Sequence, residues 1–426
     1  MTDGTGAGRA SRKALVGWCF YDWANSSFPT IVETFVFSTY FAKAVAPDIE
    51  AGTALWGYAL AIAGITVAVS APFVGAVADR CGGRKPFLAA FTVILSLCAG
   101  ALWFAKPSPD YVTWTLACFA IGTVAFEFGM TFYNAMLPGL TDSRHLGRLS
   151  GWGWGTGYAG GLLALAAVLL LIKANPPPFG LDAASQEPVR AAGLIVAAWV
   201  VVFALPLFLW TPDRSAKGEP LGRAMRDGAR HLFHTLRNIG QHKQIARFLL
   251  ARMIYMDGLN TVFAFGSIYA AGSFGMGFEE ILAFGIAINV TAGLGAAGFA
   301  WIDDWIGPKR TIILALMGLI GFGAVLLVVE SKLAFFVLGI GLGLFFGPAQ
   351  AASRSLMAHM SPPGQEAEMF GLYAFTGRAT AFLGPLLFGW ATLALESQRA
   401  GMATALGLVI LGLILLLPVR APKFVR

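Results

Sequence analysis

The sequence predicts an all-α polytopic membrane protein: twelve transmembrane helices in two six-helix bundles related by pseudo-two-fold symmetry. Three observations carry this. Hydrophobic residues make up 57% of the 426 residues and charged residues only 12%, against about 45–50% and about 25% in soluble domains. The apolar residues gather in runs of about twenty or more, the length a helix needs to cross roughly 30 Å of hydrocarbon. The charged turns of the first half recur, in order, in the second. The same composition excludes a disordered chain, a collagen and a disulfide scaffold. The net charge of +7 belongs to basic loops rather than to a nucleic-acid surface.

Taken in order, the predicted spans lie at roughly 16–44, 53–78, 86–105, 111–137, 150–172, 191–211, 246–271, 279–302, 311–330, 333–357, 369–393 and 400–419, with ends good to about two to four residues. Pro, Gly or charge separates them, as at Lys106–Pro107 and at Asn175 followed by three prolines. Strands are excluded by run length and by the lack of polar–apolar alternation. Residues 1–13 form a mostly polar N-terminal tail, and no cleavable signal peptide is expected. The domains expected are a first bundle over 14–211, a linker over 212–244, a second bundle over 245–419 and a tail over 420–426. Within the linker, 221–239 sets apolar residues at helical spacing among arginines and predicts a basic amphipathic helix. Cys19, Cys81, Cys98 and Cys118 show no metal-ligand spacing.

Orientation follows from Lys and Arg. With the N-terminus inside, 21 of the 30 fall on inner segments and 6 on outer ones. The remaining three, Arg252, Arg354 and Arg378, fall within spans. Both termini are therefore expected in the cytoplasm.

The duplication rests on two echoes. The loop after span two reads Asp79-Arg80-Cys81-Gly82-Gly83-Arg84-Lys85, and that after span eight reads Asp304-Trp305-Ile306-Gly307-Pro308-Lys309-Arg310. Early in spans one and seven, Asp22 precedes Asn25 and Asp257 precedes Asn260, each by three residues. Two bundles so related meet along a seam, where transporters with internal repeats place substrate near mid-membrane. A loop carboxylate can cap a neighbouring helix or pair with arginines of the facing bundle, so Asp79, Arg80, Arg84, Asp304 and Lys309, with Arg252 and Arg354, are candidate gate residues.

The segment from Gly75 through Asp79-Arg80 to Arg84-Lys85 resembles the signature loop of the major facilitator superfamily, with Gly83 where that family usually has Arg. The second copy has Ala300 and Trp305 in place of the leading Gly and the Arg. A narrower resemblance covers nearly the whole chain: Trp18, Tyr21 to Ser26, Phe35 to Phe37, Tyr40-Phe41, Asn134 to Pro138, Ser150 to Gly153, Gly157 to Gly161 and Phe370 to Tyr373. These residues are similar to the vacuole effluxer-like branch, which holds fungal autophagy-related amino-acid effluxers and bacterial relatives. The resemblance implies the major facilitator fold and a secondary transporter acting as an exporter; the absence of compartment signals and the compact basic loops point to a bacterial inner membrane. No substrate can be carried over.

Charges are expensive inside hydrocarbon and persist where they meet a partner or water. Asp22, Asn25, Asp257 and Asn260 are expected to face the seam, either binding a cation, amine or proton or making inner-gate contacts such as Asp257 with Arg252. Glu33 and Glu127 lie at a depth suited to proton coupling, with Arg354 or Arg378 as structural partners. Arg378 could instead grip a substrate carboxylate, and Arg354 is placed near the inner end, where snorkelling is cheap. Tyr133, Asn134, Gln350 and Tyr373 are candidate cavity residues, as are Trp152, Trp154 and Tyr158. The histidines all fall in or near inner loops, so carboxylates would carry any proton. A stripe through Gly153, Gly157 and Gly161 predicts close helix packing.

No H-E-x-x-H, G-x-S-x-G or P-loop is present, so an enzyme is not expected. The expected function is alternating-access transport of a small polar organic solute, amino-acid-like or another zwitterion, with protons as candidate coupling ion. A sugar or drug carrier, or a non-transporting receptor on the same scaffold, stays open. No cofactor or metal is expected. The expected partners are a small-molecule substrate and the lipid bilayer, with the protein a monomer.

Overall fold

The computed structural model describes residues 10–214, 222–228, 230 and 242–422. Among the described residues there are helices and no strands. Ten helices among the described residues are long and apolar enough to cross a membrane unbroken. Spans two to five are Ile49–Cys81, Lys85–Ala101 with a 3₁₀ turn to Phe104, Val112–Met136 and Leu146–Lys173; span six is Glu187–Trp210. Spans seven to ten are Lys243–Phe274, Phe278–Ile306, Pro308–Val328 and Lys332–Met360; span twelve is Gln398–Leu416.

The other two spans are interrupted. Span one starts as Arg12–Asn25, passes through a π-helical stretch at Pro29–Phe35, resumes at Phe37–Tyr40 and ends in a second π-turn at Phe41–Val45. Pro29 has no amide hydrogen to donate to the ladder, and Thr30 instead donates its hydroxyl to the carbonyl of Ser26 at 2.8 Å. Span eleven is split into Glu366–Arg378 and Leu383–Ala394. Both stretches are long enough to cross as a single helix, so the sequence reads each span as continuous.

The halves repeat at their charged loops. Spans two and eight both end on a glycine with a backbone that L side chains rarely adopt: Gly82 has φ 91° and Gly307 has φ 89°. Each glycine amide closes its helix onto the carbonyl four residues earlier, Ala78 and Asp303, at 2.9 Å. Only glycine takes this turn without strain, which fixes the repeated Gly of the motif.

The halves are packed together at the end that carries these loops. Span two meets span eleven, and span five meets span eight. A side chain at Gly75 would lie 2.1 Å from the carbonyl oxygen of Ala367, and one at Gly371 would lie 2.4 Å from that of Ala71. In the second pair small residues face one another from both spans, and a side chain at Gly151 would lie 2.5 Å from the Ala300 methyl. Span five carries two glycine faces. Gly147, Gly151 and Gly155 meet span eight across the seam; Gly153, Gly157 and Gly161 meet span one and its neighbours. Residues 222–228 of the linker are helical, with Gly228 against Val77 of span two. The rest of the expected amphipathic helix, 221 and most of 229–239, lies outside the described residues.

Candidate functional site

Three layers of charged contacts cross the seam. The first is at the loops. Asp79 accepts hydrogen bonds from the amides of Ala367 at 3.2 Å and Glu368 at 2.8 Å. It thus caps the helix that opens span eleven, a favourable place for a negative charge. Arg84 leaves its own half to pair with Glu366 at 2.8 Å, and also donates to the carbonyl of Ala135. Arg214 grips the same Glu366 with both terminal nitrogens, at 2.7 and 2.8 Å. Asp213 accepts the amides of Arg84 and Lys85 at 3.0 Å each, so the chain leaving span six locks the motif loop. In the second copy Asp304 accepts from the amide of Arg148 at 2.9 Å and from its Nε at 3.0 Å, holding the start of span five. His359 at the end of span ten reaches the carbonyl of Ser143 at 2.9 Å.

The second layer surrounds Arg354, which is only 1% exposed. Its Nη1 donates to Asp22 at 3.0 Å and to the side-chain oxygen of Asn134 at 3.2 Å. Its Nε and Nη2 donate to the hydroxyl and carbonyl of Ser150, at 2.9 and 2.6 Å. Tyr133 donates its hydroxyl to Asp22 at 3.2 Å, and its ring stacks on Trp18 with centroids 4.3 Å apart. The guanidinium also lies 5.0 Å from the Trp18 ring and 5.6 Å from that of Trp154, a favourable cation–π placement. Spans one, four and five of the first half thus converge on one arginine of the second. Gly153 makes this possible: a side chain there would lie 2.8 Å from both Arg354 Nη2 and Trp18.

The third layer lies farther from the loops. Glu33 is eleven residues beyond Asp22, about 16 Å along a helix, and lies in the π-helical part of span one. Glu127 of span four pairs with Arg378 of span eleven, accepting its Nε at 3.0 Å and its Nη2 as well. Glu33 lies within electrostatic reach of both. Arg378 ends the first piece of span eleven, next to the break. This layer therefore gathers both interrupted spans, two acids and one base. It is also the more open one: Glu127 and Arg378 have 17% and 24% of their side chains exposed, against 6% and 1% for Asp22 and Arg354.

Several expected residues are placed elsewhere. Asp257 does not pair with Arg252. It accepts the amide of Gly384 at 3.0 Å and so caps the second piece of span eleven. Arg252 donates to the Tyr373 carbonyl at 2.8 Å and the Thr376 hydroxyl at 3.2 Å, with its guanidinium 3.3 Å over the Tyr373 ring. These contacts join spans seven and eleven within one half. Lys309 likewise stays in its own half, donating to the Leu417 carbonyl at 2.7 Å. Asn260 is exposed, whereas Asp257 is buried, so the pair does not share one buried face. Asn25 is buried, and neither its oxygen nor its nitrogen has a hydrogen-bond partner among the described residues. Gln350 is half-buried one turn from Arg354 on the same helix face, and Arg80 is half-buried at the loop end. Arg354 does not snorkel; the first half encloses it. Trp152 turns outward at 42% exposure, edge-on to Trp301, rather than lining the seam.

Sequence reasoning missed Glu366, Arg214, Ser150 and Asp303. Glu366 and Arg214 sit in charged connections and read as ordinary basic or acidic turns. Ser150 stood in a recognised motif without a role. Asp303 stands beside the motif Asp304 but is buried at the seam, where a side chain at Gly147 would lie 2.5 Å from its carboxyl carbon.

Residues 51–425 match the family model described as "Vacuole effluxer Atg22 like". The chain is 27% identical to the "Uncharacterized MFS-type transporter YxiO" of Bacillus subtilis, across 94% of this chain and 93% of that protein. It is 26% identical to "Autophagy-related protein 22-1" of Penicillium rubens across 57% of this chain, spanning 44% of that longer protein. Among solved structures, it is similar to the human organic anion transporter MFSD10 (TETRAN), with a TM-score of 0.71 at 15% identity, covering 95% and 98% of the two chains. The transporter FucP in its outward conformation gives a TM-score of 0.71 at 13% identity, covering 95% and 97%.

Proposed function

The chain belongs to the vacuole effluxer Atg22-like family, and from that premise we propose that it carries a small zwitterionic solute, amino-acid-like in its charges, by alternating access coupled to protons. That it is a multi-pass membrane transporter of the major facilitator type follows from its relatives and its fold. The observation that carries the finer reading is the third layer, where Glu33, Glu127 and Arg378 meet at the breaks of spans one and eleven. Broken helices at mid-membrane are where transporters with internal repeats bind solute. A zwitterion fits this set without changing its charge: its carboxylate replaces Glu127 on Arg378, and its ammonium replaces Arg378 on Glu127 and Glu33. A proton on Glu127 releases the same pair, which makes protonation and solute binding alternative keys to one lock.

The two layers nearer the loops act as the gate. In this structure they are engaged, so the face bearing the Asp79 and Asp304 loops is shut. By the Lys and Arg bias this face is cytoplasmic, and the membrane is a bacterial inner membrane. Each layer joins the two halves of a single chain, so a monomer holds a whole transport pathway. The structural likeness to an outward-conformation transporter agrees with the closed face. Export is the direction that the family's effluxer description favours.

Counterflow in liposomes tests this. Radiolabelled amino acids, sugars and organic anions are offered with and without a proton gradient. Saturable exchange of zwitterions is expected, lost in Arg378→Gln and uncoupled from the gradient in Glu127→Gln. Exchange of sugars or organic anions only would refute the zwitterion reading, and silence for every solute would favour the receptor.

A further inference from the structure

A cavity opens on the flank of the first half, beside the loop end of the seam. It has a volume of about 630 Å³ and sits between the start of span one, the turn after span four and the start of span five. Its wall is apolar and aromatic, with Phe20, Trp23 and Trp152 among the lining side chains. Its rim at the loop end carries Arg12, His145 and Arg148. We propose that this cleft is a binding site for one anionic phospholipid, with its headgroup phosphate on the rim and an acyl chain along the wall.

The dimensions agree. Arg12 and Trp23 are eleven residues apart on span one, about 16 Å of helix, close to the roughly 15 Å of one hydrocarbon leaflet. The rim lies at the end where the basic loops gather, the level of the headgroups. Arg12 is exposed. Arg148 has 44% of its side chain exposed and spends its backbone amide and Nε on Asp304, so its two terminal nitrogens point to no described partner in that contact. A phosphate can take them in the paired geometry that guanidinium favours. Trp152 is 42% exposed at the cleft. The other available occupant is the chain's own N-terminus. Residues 1–9 are Met, Thr, Asp, Gly, Thr, Gly, Ala, Gly and Arg, mostly small or polar, and removal of residues 2–9 is one arm of the test. A lipid here would touch the same Arg148 that holds the second-copy gate, independently of the solute reading above.

The test is native mass spectrometry of the full-length purified protein, titrated with phosphatidylglycerol and, separately, phosphatidylcholine. One phosphatidylglycerol is expected to be retained preferentially. Arg12→Gln and Arg148→Gln are each expected to weaken it about fivefold, and Trp152→Ala to weaken both lipids. Arg310→Gln, an exposed cation at the same membrane face, is expected to leave retention unchanged. Equal retention of the two lipids would overturn the proposal, as would an equal loss in Arg310→Gln. Retention that appears only after removal of residues 2–9 would overturn it too, since the tail would then be the occupant. Should Arg148→Gln misfold through its gate contact, Arg12→Gln alone decides.

Discussion

At the scale of single residues, the Asp22–Arg354 pair decides the deep layer. Arg354 is enclosed with four hydrogen-bond acceptors around it. Removing its one carboxylate leaves a buried cation without a counter-charge, a change that costs about 3–5 kcal/mol in comparable pairs. Asp22→Asn is therefore expected to lower the thermal midpoint in detergent sharply and abolish flux. The double variant Asp22→Leu with Arg354→Met is expected to recover the midpoint while flux stays lost. If the double variant instead transports normally, the pair has no part in the cycle. Gly153 is the second residue-scale test. Gly153→Ala forces a methyl within 2.8 Å of Arg354 and Trp18, and overpacking of this kind costs about 1–3 kcal/mol. A midpoint unchanged in Gly153→Ala would mean that the layer is looser than its distances. Both the acid and the arginine were readable as intramembrane charges. That they pair with each other was not, because they are separated by most of the chain and join different halves.

At the scale of elements, the breaks in spans one and eleven matter more than any unbroken helix. The sequence shows a proline at 29 and small residues near 380, yet each stretch between charged loops is long enough for one full crossing, so each reads as a plain span. The structure shows Asp257 serving as the cap of the second piece of span eleven, through the amide of Gly384. Losing a capping side chain costs about 0.5–2 kcal/mol. Asp257→Ala is expected to lower the thermal midpoint and the affinity for solute together, because the cap fixes the break that presents Arg378; Asp257→Asn, which keeps an acceptor, is expected to be milder. Equal behaviour of the two variants in a counterflow assay would remove the capping role. The symmetry of the sequence suggested like roles for Asp22 and Asp257. The repeats diverge here: one aspartate meets an arginine across the seam, and the other caps a helix within its own half.

At the scale of the whole molecule, the shut face depends on close approach through glycine. Gly75→Val would press a side chain into the carbonyl of Ala367 and is expected to open the face. Spin labels at Arg144→Cys and Arg310→Cys, with the native cysteines replaced by serine, should then show a longer and broader distance distribution. An unchanged distribution would mean that the contact between spans two and eleven does not hold the face shut. Orientation is tested separately by a fluorescent protein fused after Arg426, expected to fluoresce in a bacterial host because the Lys and Arg bias assigns that end to the cytoplasm; a dark fusion of full-length protein would reverse the assignment of faces.

The amino-acid sequence by itself determined the class, the spans, their duplication and the family, because hydrocarbon imposes length and composition on every crossing and a repeat is visible letter by letter. It also identified the charges that lie within the spans at the seam, Asp22, Glu33, Glu127, Arg354 and Arg378, since an ionised side chain there is conspicuous against leucine and phenylalanine, whereas Glu366, Arg214 and Asp303 at the loop end read as ordinary charged turns. Tertiary structure alone decided which charge meets which: Arg378 with Glu127, Arg354 with Asp22, Arg84 with Glu366, and Asp257 with an amide instead of Arg252. Partnership depends on helix rotation and on how closely two backbones approach. Those are set by glycines on facing helices, whose spacing is visible along the chain but whose partner helix is a fact of distance in space.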